Sequence, residues 1–260
     1  MYLKWDTKTI TVFSDKNINS LYNTGYVFTR LGRGIMNQTR SLRIDLNKFE
    51  LSSENRRILK KTDKIKLSAI ILPYPEYDWK IGKLAKDFYD TKFGDKTLAP
   101  NRSKTSGSVF SANKIKELLT DQKKSNFNLL LIYNCHSGLD PESSQAKILN
   151  RACPVPRYRV QDDNRKANDG ALGFAVCHAT DEILHYSYPF YNLEKSPKDM
   201  GLGMMIRAII WAKKNGKKFV YLGSASRPSD TYKMQFAGVE WFDQKKWIAD
   251  IETLKQTLVN

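Results

Sequence analysis

The sequence predicts an α+β fold in which a central mixed sheet is flanked by helices. Three observations predict it. Residues 198–236 read as glycine turn, helix, strand and polar loop, with an apolar strand at Ile183–Tyr191 just before them. Strand, helix and strand in that order make a βαβ unit, which requires a parallel strand pair. Elsewhere, strand-like runs such as Thr9–Phe13, Ser41–Leu46, Phe127–Tyr133 and Leu172–His178 stand among helices with one apolar face.

In chain order, Thr9–Phe13 (TITVF) and Ser41–Leu46 (SLRIDL) alternate as half-buried strands do. Phe49–Lys61 reads as a helix with Ser52 or Ser53 as its N-cap. Pro75–Phe93 is an amphipathic helix, with Tyr77, Ile81, Leu84 and Phe88 on one face and Lys80, Lys83 and Lys86 away from it. Thr97–Ser108 is polar and rich in breakers, so it reads as loop. Ser111 caps a short helix bearing Ile115, Leu118 and Leu119. In the helix after Asp199, Leu202, Ile206, Ile209 and Ile210 share a face, Lys213 and Lys214 suit the negative dipole end, and Gly216 can close it. Phe219–Leu222 follows as a buried strand.

The strands at 127–133 and 172–178 are expected to pair through a short turn. Instead residues 134–169 intervene, with Pro141, Pro154 and Pro156 and no sustained periodicity. Connections of that length are uncommon in compact domains. Its opening, NCHSGLDPESSQAKI, resembles peptides encoded by mobile palindromic repeats that insert in frame into bacterial genes. Residues 98–109 and 134–169 therefore read as inserted surface loops. Residues 1–66 read as an N-terminal segment and 67–260 as the main domain.

Lys and Arg number 43 against 27 Asp and Glu, a formal charge of +16. No low-complexity basic tail carries this excess, so it lies on folded surface and points to a polyanionic partner, nucleic acid before membrane. No apolar leader follows Met1 and no run reaches membrane-spanning length. Cys135, Cys153 and Cys177 form no paired framework, and a cytoplasmic location is expected. Cys135-His136 and Cys177-His178 lack Cys-x-x-Cys spacing, so no metal is expected.

Lys198-x-x-Gly201-x-Gly203, followed by Met204, opens the central helix. Glycines there let backbone approach an anion, and a helix N-terminus offers unpaired N–H donors. Asp199 is the expected cap. The same glycines also suit plain helix–sheet packing, and spacing alone leaves both readings open. Arg56, Arg57, Lys60 and Lys61 form a basic cluster on one helix, and Lys213, Lys214, Lys217 and Lys218 form another. The net charge favours phosphate contact over a merely solvated face.

The segments GYVFTRLGRGIMNQTRSLRIDLNKFELSSENRRILKK, WKIGKLAKDFYDTKFGD, FSANKIKELL and HYSYPFY, with Gly201-Leu202-Gly203, Tyr221-Leu222-Gly223 and Tyr232-Lys233-Met234, resemble in order the aminoacyl-tRNA–protein transferases of the N-end rule. The glycine turn is similar to that of acyltransferases with the GNAT fold, which is also the fold this resemblance implies. One departure is that residues 35–43 (IMNQTRSLR) lack the cysteine cluster such proteins usually carry, which removes the basis for metal or redox control there.

The resemblance implies transfer of arginine or leucine from charged tRNA to proteins with N-terminal Asp or Glu. Aminoacyl-tRNA is then the co-substrate, no other cofactor is expected, and no membrane partner is implied. On that reading Lys198, Gly201, Gly203 and Met204 hold the tRNA terminus. Arg56, Arg57, Lys60, Lys213, Lys214, Lys217 and Lys218 contact backbone phosphates. Arg30, Arg227, Ser229 and Lys233 read the acidic side chain. Tyr188, Tyr191 and Tyr221 orient the amine or adenine, and Asp230 or Glu182 takes the amine proton. His185 reads as structural. An acetyl-CoA-dependent GNAT acetyltransferase and an inactive tRNA-binding remnant are the competing readings.

Overall fold

The computed structural model describes residues 3–93, 110–135 and 170–259. The segments read as insertions fall largely outside them, as do His136 and Cys153. The described elements are strand β1 (Asp6–Thr9), helix α1 (Asp15–Asn23), strands β2 (Tyr26–Phe28), β3 (Ile35–Gln38) and β4 (Ser41–Asp45), helix α2 (Ser53–Lys61), strand β5 (Ile65–Ile71), and helices α3 (Trp79–Phe93) and α4 (Ala112–Thr120). They continue with strands β6 (Leu129–Cys135), β7 (Ala171–Ala179) and β8 (Ile183–Tyr191), helix α5 (Met200–Lys214) and strand β9 (Phe219–Ser224). A 3-10 helix (Pro228–Met234), strands β10 (Val239–Phe242) and β11 (Trp247–Ile248), and helix α6 (Ile251–Val259) close the chain.

Eight strands form the main sheet in the order β11-β10-β4-β9-β8-β7-β6-β5. All its pairs are antiparallel except β8–β9, so the sheet is mixed as expected. Alternation along β6 explains the layering. Leu129, Leu131 and Tyr133 face a core containing Ile58, Met204, Ile209 and Leu254, from α2, α5 and α6. Leu130 and Ile132 face a second core with Ile18, Ile81, Phe88 and Leu118, from α1, α3 and α4. The small sheet β1-β3-β2 lies on that second side. Strand β4, from the N-terminal 66 residues, lies inside the main sheet between β10 and β9.

Local signals hold in several places. Ser52 caps α2 in a reciprocal capping box with Asn55, and Ser111 accepts from the Lys114 amide at 3.1 Å. Gly216 adopts a positive φ of 69° just beyond α5.

Three expectations need correction. The first strand is Asp6–Thr9 rather than Thr9–Phe13, because its partner β3 runs out at Ile35; beyond it Ile10 donates to the Gly34 carbonyl at 2.9 Å, and Val12 is exposed. The helix expected from Pro75 starts at Trp79, since Asp78 Oδ1 accepts from the Lys80 amide at 2.9 Å and sets a turn there. Asn134 and Cys135 belong to β6, opposite Lys66 and Ile65, and not to the loop that follows.

Candidate functional site

The parallel pair positions the site. β8 and β9 are bonded only over Ile183–His185 and Phe219–Tyr221. Beyond His185, β8 continues along β7 through a bulge at Ser187, where Cys177 faces Tyr186 and Val176 faces Tyr188. An extra residue in one strand bends it and increases its twist. The far halves of β8 and β9 therefore part. Helix α5 starts beside this splay, with the Tyr191 ring 3.4 Å from where a Cβ on Gly201 would stand.

The start of α5 differs from the expectation. Asp199 is its N-cap, but in the left-handed conformation (φ 69°, ψ 14°) and without a side-chain cap bond. Its carboxylate turns to α2 instead, 3.3 Å from Lys61 Nζ and 3.8 Å from Arg57 Nη2. The Gly203 amide is committed to the Asp199 carbonyl at 2.9 Å. A Cβ on Gly203 would lie 2.8 Å from Thr62 Oγ1, so this glycine serves packing against α2. Met204 is fully buried, and its carbonyl accepts from the Tyr133 hydroxyl at 3.0 Å. The anion-cradle reading thus narrows to the amides of Gly201 and Leu202, which have no partner among the described residues. Exposed Lys198 stands beside them.

The other predicted residues divide by position. Arg227, exposed Ser229 and Lys233 lie where the chain leaves β9, with Tyr232 exposed between them. Lys233 Nζ donates to the Ser224 carbonyl at 2.8 Å and lies 3.2 Å from Asp230. Burial pushes its ammonium below the usual lysine range while Asp230 pulls the other way. Asp230 also accepts from the Ser226 and Arg227 amides, both at 3.0 Å, so its carboxylate fastens the 3-10 helix rather than standing ready as a base. Tyr191 is half-buried at the splay, and burial raises its phenol. Burial also raises the phenol of Tyr232, with Asp230 and Tyr191 pushing the same way. Arg30 lies over the Phe110 ring at 4.4 Å, and Phe110 meets Tyr188 edge-on at 4.9 Å.

Several predicted residues lie elsewhere. Glu182 pairs with Lys218 where β8 and β9 begin, at the opposite end of β9 from Asp230, roughly 17 Å along the strand. Tyr221 is fully buried against Tyr22 and Trp247, and burial pushes its phenol up to about 12. The lysines assigned to RNA near the end of α5 mostly have partners within the chain. Lys213 donates to the Phe49 carbonyl at 2.8 Å, Lys217 to the Thr180 carbonyl, and Lys218 to Glu182. Lys214 is exposed. This group lies about 21 Å from the start of the 15-residue helix α5. By contrast Arg56, Arg57 and Lys60 are exposed on α2, whose C-terminal turn adjoins that start.

Sequence reasoning passed over Arg40. It lies in the turn from β3 to β4, and its carbonyl accepts from the Ala225 amide at 2.8 Å, at the very end of β9. Thr39 Oγ1, Ser224 Oγ and Ser226 Oγ form a hydroxyl chain there, at 2.9 and 2.6 Å. No spacing rule marks Arg40; only the fold brings the turn to β9.

Among the described residues no three His, Cys, Asp or Glu side chains gather as a metal site. Cys135 and Cys177 are both free thiols. Nor is any described helix long and apolar enough to cross a membrane. A separate hollow of about 330 Å³ lies between Lys48, Phe236, Glu240 and Ile251, and none of the predicted site residues lines it.

No protein-family model matches the chain. Over 78 residues, 29% of its length, it is 31% identical to an aspartate/glutamate leucyltransferase of Stenotrophomonas maltophilia (strain K279a); the match spans 31% of that protein. Among solved structures, L-PGS from Bacillus licheniformis aligns over 81% of this chain and 52% of its own, at 11% identity and a TM-score of 0.41. The C-terminal domain of a putative lysylphosphatidylglycerol synthetase from Agrobacterium fabrum aligns over 75% of this chain and 49% of its own, at 10% identity and 0.41. A GCN5-related glucosamine N-acetyltransferase region of a fungal multidomain β-N-acetylglucosaminidase aligns over 92% of this chain and 23% of its own, at 11% identity and 0.43.

Proposed function

We propose that this protein is an aminoacyltransferase with a GNAT-like fold, which carries leucine or arginine from aminoacyl-tRNA to the N-terminal amine of proteins beginning with Asp or Glu. One observation carries the proposal: β8 and β9 part beside a helix start with two unpartnered amides, and the exposed cations of α2 lead to that start. A parting parallel pair gives an acyl donor room between two strands. Helix amides and basic side chains suit the phosphate-bearing end of an RNA. The partial likeness to a leucyltransferase, whose name specifies aspartate and glutamate, supports leucine as donor and acidic N-termini as acceptors.

The chemistry asks little of side chains. The aminoacyl ester is already activated, and an α-amine with a pKa of roughly 7.7–8.0 is partly neutral at pH 7. Its nitrogen attacks the ester carbonyl carbon, the bond to the ribose oxygen breaks, and that oxygen leaves with the amine's proton. Holding the two reactants together supplies most of the acceleration. In this scheme Tyr191 and Tyr232 orient the amine, and Gly201, Leu202 and Lys198 hold the RNA terminus. Asp230 and Glu182 have no role as bases in this scheme, because each is committed to a lysine and they lie at opposite ends of β9.

The test supplies labelled leucyl- or arginyl-tRNA with peptides beginning Asp, Glu or Ala. Label on the acidic peptides alone supports the proposal. Label on none rejects it, and salt-sensitive tRNA binding without product would leave an RNA-binding remnant.

A further inference from the structure

We propose that Arg40 reads a carboxylate: it is the group that selects an acidic side chain on the acceptor. The acceptor's identity rests on the transfer reading above, whereas the affinity for carboxylate rests on the geometry at the end of β9.

Most half-buried arginines of this chain have a hydrogen-bond partner, and Arg30, without a hydrogen-bond acceptor among the described residues, lies over the Phe110 ring at 4.4 Å. Arg43 donates to Glu240 at 2.9 Å. Arg207 donates from Nε to the Ile65 carbonyl at 2.9 Å and from Nη1 to Thr62 Oγ1 at 2.7 Å. Arg33, though more exposed, donates to the Ser125 carbonyl at 3.0 Å. Arg40 departs from this pattern. Its Nε is sealed from water and has no acceptor, and no nitrogen of its guanidinium has a partner among the described residues. Burial lowers its pKa, with no acidic neighbour to offset it. Leaving a buried charged donor unsatisfied is costly, so such a group calls for an explanation. The explanation offered here is that the acceptor comes from outside the chain.

The surroundings fit a small anion. The Ala225 amide holds the Arg40 backbone at the end of β9, beside the hydroxyls of Thr39, Ser224 and Ser226. Arg227, Asp230 and Lys233 follow in the 3-10 turn that leaves β9, where Asp230 pairs with Lys233. The edge formed by Nε and one Nη of an arginine matches the two oxygens of a carboxylate. A side-chain amide offers one acceptor oxygen and turns N–H donors toward N–H donors, so the site would reject Asn and Gln. An RNA phosphodiester is the less suitable occupant, because backbone phosphates are held by exposed cations along a surface, and α2 carries those.

The test uses the full chain without RNA. Calorimetry compares the dipeptides Glu-Ala and Gln-Ala on the wild type, Arg40→Gln, Arg40→Lys and Arg227→Gln, with a melting curve for each. The expected result is a preference for Glu-Ala on the order of 10- to 100-fold in the wild type. Arg40→Gln abolishes it at an unchanged or higher melting temperature, Arg40→Lys retains part of it, and Arg227→Gln retains most. A preference that survives Arg40→Gln overturns the proposal. So does a wild type without preference, or displacement of Glu-Ala by the trinucleotide CCA in the wild type but not in Arg40→Lys. The outcomes also separate this proposal from the transfer reading. A carboxylate preference without labelled transfer upholds Arg40 and removes the function, whereas transfer whose acidic selectivity survives Arg40→Gln does the reverse.

Discussion

The Asp199 carboxylate lies 3.3 Å from Lys61 Nζ and makes no bond to the amides of the helix it begins. This ion pair joins α2 to α5 and partly neutralises the cations nearest the helix start. Asp199→Asn, which suits the left-handed backbone, should therefore strengthen tRNA binding several-fold at low salt. Folding stability should change by less than about 1 kcal/mol, because the groups involved are solvent-accessible. Filter binding across a salt series checks the first part and denaturant unfolding the second. Weaker RNA binding would count against an RNA terminus at this helix.

Gly203→Ala places a methyl 2.8 Å from Thr62 Oγ1 and 3.1 Å from Thr62 Cγ2. Thr62 cannot swing aside without loss, since its hydroxyl donates to the Ile58 carbonyl and accepts from Arg207. Overpacking costs about 1–3 kcal/mol and the gain in helix propensity returns about 1. A net loss of up to about 2 kcal/mol is expected in urea unfolding, and Thr62→Ala in the same chain should recover part of it.

The two basic groups should behave differently. Neutralising Arg56 and Lys60 together should weaken tRNA binding at every sequence tested and make the salt slope shallower by about 1 for each cation removed. Lys217→Gln should leave the RNA slope unchanged and lower the melting temperature, because Lys217 closes the turn before β8 through the Thr180 carbonyl. Nitrocellulose binding and thermal melts distinguish the two variants. A large RNA defect in Lys217→Gln would return that end of α5 to the interface.

Two buried histidines set an acid limit. His178 and His185 face one another across β7 and β8, and burial depresses them to about 4 and about 3. Both remain neutral in the folded chain, while an unfolded imidazole titrates near 6.5. The unfolded state therefore binds more protons below 6.5. The stability these residues contribute is complete above that pH and falls as pH drops from 6.5 toward 4 and then 3. Unfolding free energy measured from pH 7.5 to 4.5 should decline from about 6.5 downward, and His185→Gln should flatten the curve. An unchanged slope in the variant would show that other groups cause the decline.

Much of the frame was legible in the sequence, because the signals there were local. The strand Ile183–Tyr191, the Ser52 and Ser111 caps and the helix through Lys214 all rest on neighbouring residues. β5 passed unread because its burial along IKLSAII does not alternate: only Ile65 is buried and the rest are half-buried or exposed, as befits a sheet edge. The site was less legible because its parts meet only through long-range pairing. Arg40 reaches β9 through a turn, and the bulge at Ser187 shows only against β7. Lys213, Lys217 and Lys218 read as surface charge, yet all three reach acceptors on distant segments. Tyr221 read as a site residue, and only the packing of Tyr22 and Trp247 over it shows a core position.

The central claim is acyl transfer at the parted strands. Its most direct test incubates the purified chain with leucyl-tRNA, or arginyl-tRNA, and a Glu-initiated peptide, and then locates any added residue by tandem mass spectrometry. The account predicts one leucine or arginine on the α-amine, absent when the peptide begins with Ala or is N-acetylated. A Glu-initiated peptide recovered unmodified with both donors would contradict it.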